Sequence, residues 1–339
     1  MPTVEVTTKS TGRTVFDYVV STPGQDSTES IDPSLPTVLF LHAVYLTSSI
    51  YHYQFADPKL RKFNLIAVDL KFHGKTTGDN PPATYNRHDA AEEIAGFMDA
   101  LNLPPCHVVG LSLGTILGLQ LAITYPSKVL SLFLMSPMGL REPEEVSQGR
   151  KEICEYWFEG YTTGDESMLG DAVYGVLQLA FSNKTSPLIT SLVNITYPLS
   201  KTKWSPDYLG TLKIVTLDFL TKREEFSQDE LAHIKVPVCL VHGLDDIPYP
   251  VEMTEEFRER LQAAGVISSY HKIANAPHCI SIEPSREVND IIHDFLLQNV
   301  KEPPPSLPAD HVVLSPWDGE LRENGWDPED EEDDELTFI

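Results

Sequence analysis

Short apolar runs separated by helical patterns dominate the first three hundred residues. Residues 37–41, 65–70, 107–111, 130–135 and 236–241 are near-continuous apolar stretches of five or six residues. A strand with one wet face alternates polar and apolar positions, whereas a strand buried on both faces does not. These runs therefore predict strands of a parallel sheet covered on both sides. Residues 4–8 and 14–21, rich in β-branched and aromatic side chains, flank a Thr-Gly turn and predict an opening hairpin. Residues 22–36 read as a loop and 268–273 as a last strand. Between the strands the period becomes that of a helix. Residues 87–101 place Ala90, Ile94, Phe97, Met98 and Leu101 on one face. Residues 113–124 are apolar nearly all round, as suits a helix packed on the centre of a sheet. Residues 253–264 and 287–300 are amphipathic. The alternation predicts an α/β fold with a doubly wound, mostly parallel sheet of about eight strands.

About a hundred residues between the strands ending near 135 and starting at 236 carry no strand signal. Helical patterns over 148–158, 172–181, 186–196 and 208–220 fill them, and the stretch is too long for a loop. The expected organisation is a core of residues 1–137 and 236–300, a helical cap of 138–235 inserted into it, and a tail of 301–339. The tail holds Pro303, Pro304, Pro305 and Pro308, then an acidic run over 329–335. It reads as extended or disordered, with Trp317 or Trp326 as side chains that could dock it.

The 339 residues are enough for one large domain or two ordinary ones. Charge narrows the function classes. The chain carries a formal −25; residues 301–339 hold 13 Asp or Glu against Lys301 and Arg322, a net of −11, which leaves −14 on residues 1–300. Nucleic acid and anionic membrane surfaces are disfavoured as partners, because both require a basic face. Cys106, Cys154, Cys239 and Cys279 form no CxxC pair and read as buried thiols in a reducing compartment. The N-terminus lacks the basic and apolar regions of a signal peptide, and no stretch approaches a membrane span. The expectation is a cytoplasmic protein. Oligomeric state is left open.

The chemistry centres on Gly110-Leu111-Ser112-Leu113-Gly114, directly after an apolar strand and directly before an apolar helix. A nucleophile on a sharp strand-to-helix turn needs small residues two before and two after it, so that neighbouring backbone can approach. A Gly-rich turn alone is a weak signal; its placement between strand and helix is what points to Ser112. A serine hydroxyl needs a base. His278, in Asn275-Ala-Pro-His278-Cys after the last strand, is the candidate among eleven histidines. The acid belongs after the strand at 236–241, where Asp245 and Asp246 compete. Asp246 is favoured, with Asp245 as a turn or cap residue. Two backbone N–H groups are needed for an oxyanion, and Leu113 and Val44 are the candidates. No metal cluster, phosphate-cradling loop or cofactor motif is present in the sequence, so no cofactor is expected.

These pieces together resemble the α/β-hydrolase fold superfamily, in its cap-bearing, serine-nucleophile branch. The matching segments are Leu41-His42-Ala43, Asp69-Leu-Lys71-Phe72-His73-Gly74-Lys-Thr76, the Ser112 turn, Gly243-Leu-Asp245-Asp246 with Pro250, and Pro277-His278. The sequence departs from that pattern in three places. Ala43 stands where the family usually has glycine, Phe72 where it has a small residue, and the acidic tail has no counterpart. Ala43 puts the second oxyanion donor in question, and Phe72 is expected to add an aromatic wall near the site. A serine at the turn excludes the epoxide and haloalkane chemistry of relatives that use aspartate there. The resemblance implies hydrolysis of an ester, thioester or related acyl compound through Ser112, His278 and Asp246, on a small apolar acyl substrate roofed by the cap. Two other classes fit the same residues: a non-catalytic receptor or interaction scaffold, and a lyase or perhydrolase using the same triad.

Overall fold

A computed structural model describes residues 1–308 and 312–329. Ten strands form the sheet: β1 (Thr3–Thr8), β2 (Gly12–Thr22), β3 (Gln25–Thr28), β4 (Thr37–Leu41), β5 (Asn64–Val68), β6 (Thr77–Gly78), β7 (Cys106–Leu111), β8 (Val129–Met135), β9 (Val238–Gly243) and β10 (Ser268–Ile273). Their order is β1-β2-β5-β4-β7-β8-β9-β10, with β3 and β6 paired to β2. β1 and β2 form the expected antiparallel hairpin, β2 joins β5 antiparallel, and from β5 to β10 every pairing is parallel. The continuous apolar runs have the reason anticipated for them. In β8, Leu132 and Leu134 face one core, while Phe133 and Met135 face the other. β9 starts at Val238, two residues later than the apolar run: the Pro237 carbonyl accepts Leu132 N–H (2.9 Å), but Pro237 has no N–H to donate, and the first donor of the strand is Val238, to the Ile267 carbonyl (3.0 Å). β3 and β6 were not legible; both are short, polar and held only by β2.

Helices Arg87–Ala100, Leu113–Thr124 and Val251–Ala263 cover one face of the sheet, and helix Ser285–Asn299 covers the other. Between β8 and β9 the chain is helical: Glu144–Thr163, Glu166–Phe181, Pro187–Lys203, then turns over Leu209–Leu212, Lys213–Asp218 and Phe219–Thr221. The first of these helices extends past its apolar pattern at both ends, the second at its start and the third at its end. No helix of the described residues is long and apolar enough to cross a membrane.

The extended or disordered reading of the tail does not hold for residues 312–329. They include helix Asp318–Glu323, and the reason is aromatic burial. Trp317 is 1 % exposed, with its ring 4.9 Å from that of Phe55; the Trp326 ring lies 4.4 Å from His52. Arg61, fully buried, donates to the carbonyls of Leu314 (2.8 Å), Thr22 (2.7 Å) and Gln25 (2.9 Å), so one guanidinium ties the tail to the end of β2. The Asn324 carbonyl accepts from Ser191 Oγ (3.1 Å) and Asn194 Nδ2 (3.0 Å) of helix Pro187–Lys203. Most of the acidic run, from residue 330 on, lies outside the described residues.

His107 sits inside β7, bonded through Nδ1 to Ser131 Oγ at 2.8 Å. Burial lowers its pKa to about 4 from the ordinary 6.5. The unfolded chain thus binds a proton at this residue near pH 6.5 that the native state refuses until about pH 4. Its contribution to stability is complete above pH 6.5 and is lost as pH falls toward 4, with a slope of up to about 1.4 kcal/mol per pH unit. Urea unfolding of the wild type and His107→Asn at pH 7, 5.5 and 4.5 should show the wild type losing ground to the variant as pH drops. Parallel pH dependences would contradict this.

Candidate active site

The turn between β7 and helix Leu113–Thr124 is set by what cannot be there. A Cβ at position 110 would lie 2.5 Å from the Gly114 carbonyl oxygen, and one at position 114 would lie 1.9 Å from that of Leu41. Both positions exclude any side chain, and between them Ser112 is forced to φ 53°, ψ −112°. The turn is held by Ser112 N–H to the Met135 carbonyl (3.0 Å) and by Thr115 Oγ–H to the Ser112 carbonyl (2.6 Å). Ser112 is almost fully buried, with its side chain above the N-terminus of the helix.

The structure brings Ser112, His278 and Asp246 together. Ser112 Oγ lies 2.8 Å from His278 Nε2, and His278 Nδ1 donates to Asp246 Oδ2 at 2.7 Å. A carboxylate is acceptor only, so Nδ1 carries the hydrogen and Nε2 is left to accept from the hydroxyl. Asp246 Oδ1 also accepts from Tyr249 N–H, 3.1 Å. Asp245 points elsewhere: it is half exposed, with Oδ2 3.6 Å from Lys184 Nζ. Several contacts fix His278. Its carbonyl accepts from Ser136 Oγ, Cys279 N–H bonds to the Ala180 carbonyl of the helical layer (2.8 Å), and the Tyr249 ring stacks on the imidazole at 4.8 Å and 29°. Gly243 lets the loop close on β9, since a Cβ there would lie 2.3 Å from the Ala276 carbonyl oxygen.

Val44 and Leu113 both border the serine, Val44 in the wall of its cavity and Leu113 as the next residue. Leu113 opens a helix, where an N–H has no preceding turn to bond to. Ala43 does not carry the loop's unusual backbone; Tyr45 does, at φ 67°. His42 anchors this loop. Its Nδ1 donates to the Ala43 carbonyl (2.7 Å) and its Nε2 accepts Leu70 N–H (2.9 Å), while burial lowers its pKa to about 4 and keeps the ring neutral. Phe72 adopts φ 59°, a conformation uncommon for a bulky side chain. Its ring packs 6.2 Å from that of Tyr208, and it is not part of the wall around Ser112.

Four neighbours were not found from sequence. Met138 Sδ is 3.1 Å from Ser112 Oγ, a weaker acceptor than the imidazole for the same hydrogen. Tyr249 donates its hydroxyl to Glu142 Oε1 (2.9 Å) and accepts from Arg150 Nη2 (2.9 Å). Glu142 also binds Arg150 Nε and Arg223 Nη1, and these guanidinium charges hold its carboxyl below the usual range against the opposing effect of burial. Tyr249 follows Asp246 by three residues, which is a usable signal. Arg150 is one basic residue on an amphipathic helix and offers none. The cavity at Ser112 is narrow; Tyr45 and Val176 in its wall also line an apolar cavity among Trp157, Phe181, Leu192 and Trp204. Among the described residues no group of His, Cys, Asp and Glu side chains could hold a metal ion.

The alpha/beta hydrolase fold family matches residues 36–285. The chain is 23 % identical over 263 residues to the AB hydrolase superfamily protein YisY of Bacillus subtilis, covering 76 % of this chain and 90 % of that one. It is 26 % identical over 266 residues to the carboxylesterase YbfK of the same organism, covering 78 % and 82 %, and the solved structure of that esterase superposes with a TM-score of 0.63 over 88 % of this chain and 92 % of that one. The enol-lactonase of Burkholderia xenovorans, 20 % identical, superposes with a TM-score of 0.63 over 87 % of this chain and 100 % of that one.

The steric argument at position 114 is directly testable. Gly114→Ala should destabilise the protein by about 2 kcal/mol or more, because the backbone of β4 cannot yield without moving the sheet. Gly149→Ala, where a Cβ meets nothing within 4 Å, is the control and should be neutral or slightly stabilising. Equal melting temperatures for the two variants would contradict the argument.

Proposed function

The chain belongs to the α/β-hydrolase fold family, and we propose that within it the protein is a serine hydrolase of esters, thioesters or related acyl compounds. The observation that carries this reading is the bonded series Asp246–His278–Ser112 at the end of the sheet, opening on a cavity. Ser112 Oγ attacks the acyl carbon as its proton passes to His278 Nε2; Asp246 keeps the ring oriented and stabilises the imidazolium. The carbonyl oxygen becomes an oxyanion held by the N–H groups of Leu113 and Val44. The tetrahedral species collapses, His278 gives the proton to the leaving alkoxide or thiolate, and an acyl-enzyme remains on Ser112. Water then attacks the acyl carbon, its proton goes to His278, and the free acid leaves with Ser112 restored. The helices between residues 144 and 221 serve as the cap in this scheme: Arg150, Val176 and Ala180 close the cavity over Ser112. The division into core, inserted cap and tail follows from that role.

Hydrolysis of p-nitrophenyl esters of graded chain length tests the proposal. Ser112→Ala should lower kcat/KM by about four orders of magnitude or more, and Asp246→Asn by about 10³- to 10⁴-fold. Asp245→Asn should stay close to wild type. A fluorophosphonate probe should label the wild type and not Ser112→Ala. A folded wild type that takes no label and cleaves no ester would favour a receptor or scaffold on this fold instead.

A further inference from the structure

Two hydrogen-bond donors in the wall of the Ser112 cavity have no acceptor. Arg150 spends Nε on Glu142 and Nη2 on the Tyr249 hydroxyl, and its Nη1 is buried with no partner. The Tyr45 hydroxyl, also buried, is approached by Arg150 and Thr216 without hydrogen-bond geometry. The two side chains are adjacent, with the guanidinium carbon 5.8 Å from the centre of the Tyr45 ring. Both line the cavity that holds Ser112 and His278. Burial raises the Tyr45 pKa, so the hydroxyl keeps its hydrogen.

Glu142 is shared between Arg150 and Arg223, so one carboxylate faces two guanidinium groups. Asp246, the other carboxylate at the site, is committed to His278 and Tyr249 N–H and gives Arg150 Nη1 no acceptor. Buried donors normally have acceptors, and the exceptions call for an explanation. A planar guanidinium edge beside a hydroxyl donor fits a carboxylate.

We propose that Arg150 Nη1 and the Tyr45 hydroxyl form a carboxylate-binding subsite, so that the substrate is an acyl compound bearing a second, anionic carboxylate group. The inference rests on the serine-hydrolase reading and deepens it. It also revises the expectation of a purely apolar acyl group. The apolar cavity that shares Tyr45 and Val176 with this one is the place for the remaining hydrocarbon.

The test compares mono-p-nitrophenyl esters of succinate, glutarate and adipate with p-nitrophenyl butyrate, valerate and hexanoate, each corrected for spontaneous hydrolysis. In the wild type at least one anionic ester should exceed its neutral counterpart in kcat/KM by tenfold or more. Arg150→Met should cut that ratio at least tenfold. Tyr45→Phe, which keeps the ring and so the packing, should cut it several-fold and serves if Arg150→Met does not fold. Fluorophosphonate labelling of Ser112 without any preference for the anionic esters would overturn the subsite and leave the hydrolase reading standing. Absence of labelling together with absence of hydrolysis would overturn both.

Discussion

Helix Leu113–Thr124 approaches strand β4 so closely that a single methyl group at position 114 would meet the Leu41 carbonyl oxygen at 1.9 Å. That contact distance governs much of what surrounds it. It brings the start of the helix beneath Ser112, forces the serine into a positive φ, and sets the loop after β4 beside the loop after β7. Thr115 then ties Ser112 to Met138 beyond β8, through Thr115 Oγ to the Ser112 carbonyl (2.6 Å) and Met138 N–H to Thr115 Oγ (3.0 Å). The strain at Ser112 is tolerable because strands on both sides of β7 over-determine its position.

Legibility in the sequence followed the distance over which each feature is specified. Ser112 and its glycines and the Asp245-Asp246 pair are local signals, as are the apolar runs that became β4, β5, β7 and β8. His278 was found by its place after the last strand. The choice between Asp245 and Asp246 rests on which carboxylate faces the imidazole, a question of loop geometry that two adjacent identical residues cannot answer. Arg150, Glu142 and Met138 were invisible for another reason. Arg150 meets the site only after its helix folds over the sheet, while Met138 and Glu142 lie in the irregular stretch after β8, and none of the three carries a local signal. Trp317 and Trp326 were legible as docking side chains, and both are buried; the helix they bring with them was masked by the acidic composition around it.

Buried charge keeps the loops around the site in place. Lys71 stands in the turn after β5 with Nζ 2.8 Å from Glu93 Oε1 and 3.0 Å from the Thr11 carbonyl. Glu93 also accepts from Tyr85 at 2.9 Å. Asp69 accepts N–H groups from Ser48 (2.8 Å) and Lys75 (2.9 Å). Such pairs are weak evidence of net stability, but losing one partner leaves a buried charge alone, at about 3–5 kcal/mol. They act as fixed points: β2, the β5 turn and helix Arg87–Ala100 cannot shift independently of one another.

The docked segment at 312–329 alters the mechanics of the helical layer. A layer inserted between β8 and β9 is joined to the sheet at its two ends and would otherwise swing on them. Asn324 grips Ser191 and Asn194 on the layer, while Trp317 and Leu314 hold to Phe55 and Arg61 on the sheet side. The segment is thus a third tether, spanning the seam from outside, and it lies beyond the 36–285 stretch shared with the family. Lifting the layer from the sheet therefore means breaking one end of that tether.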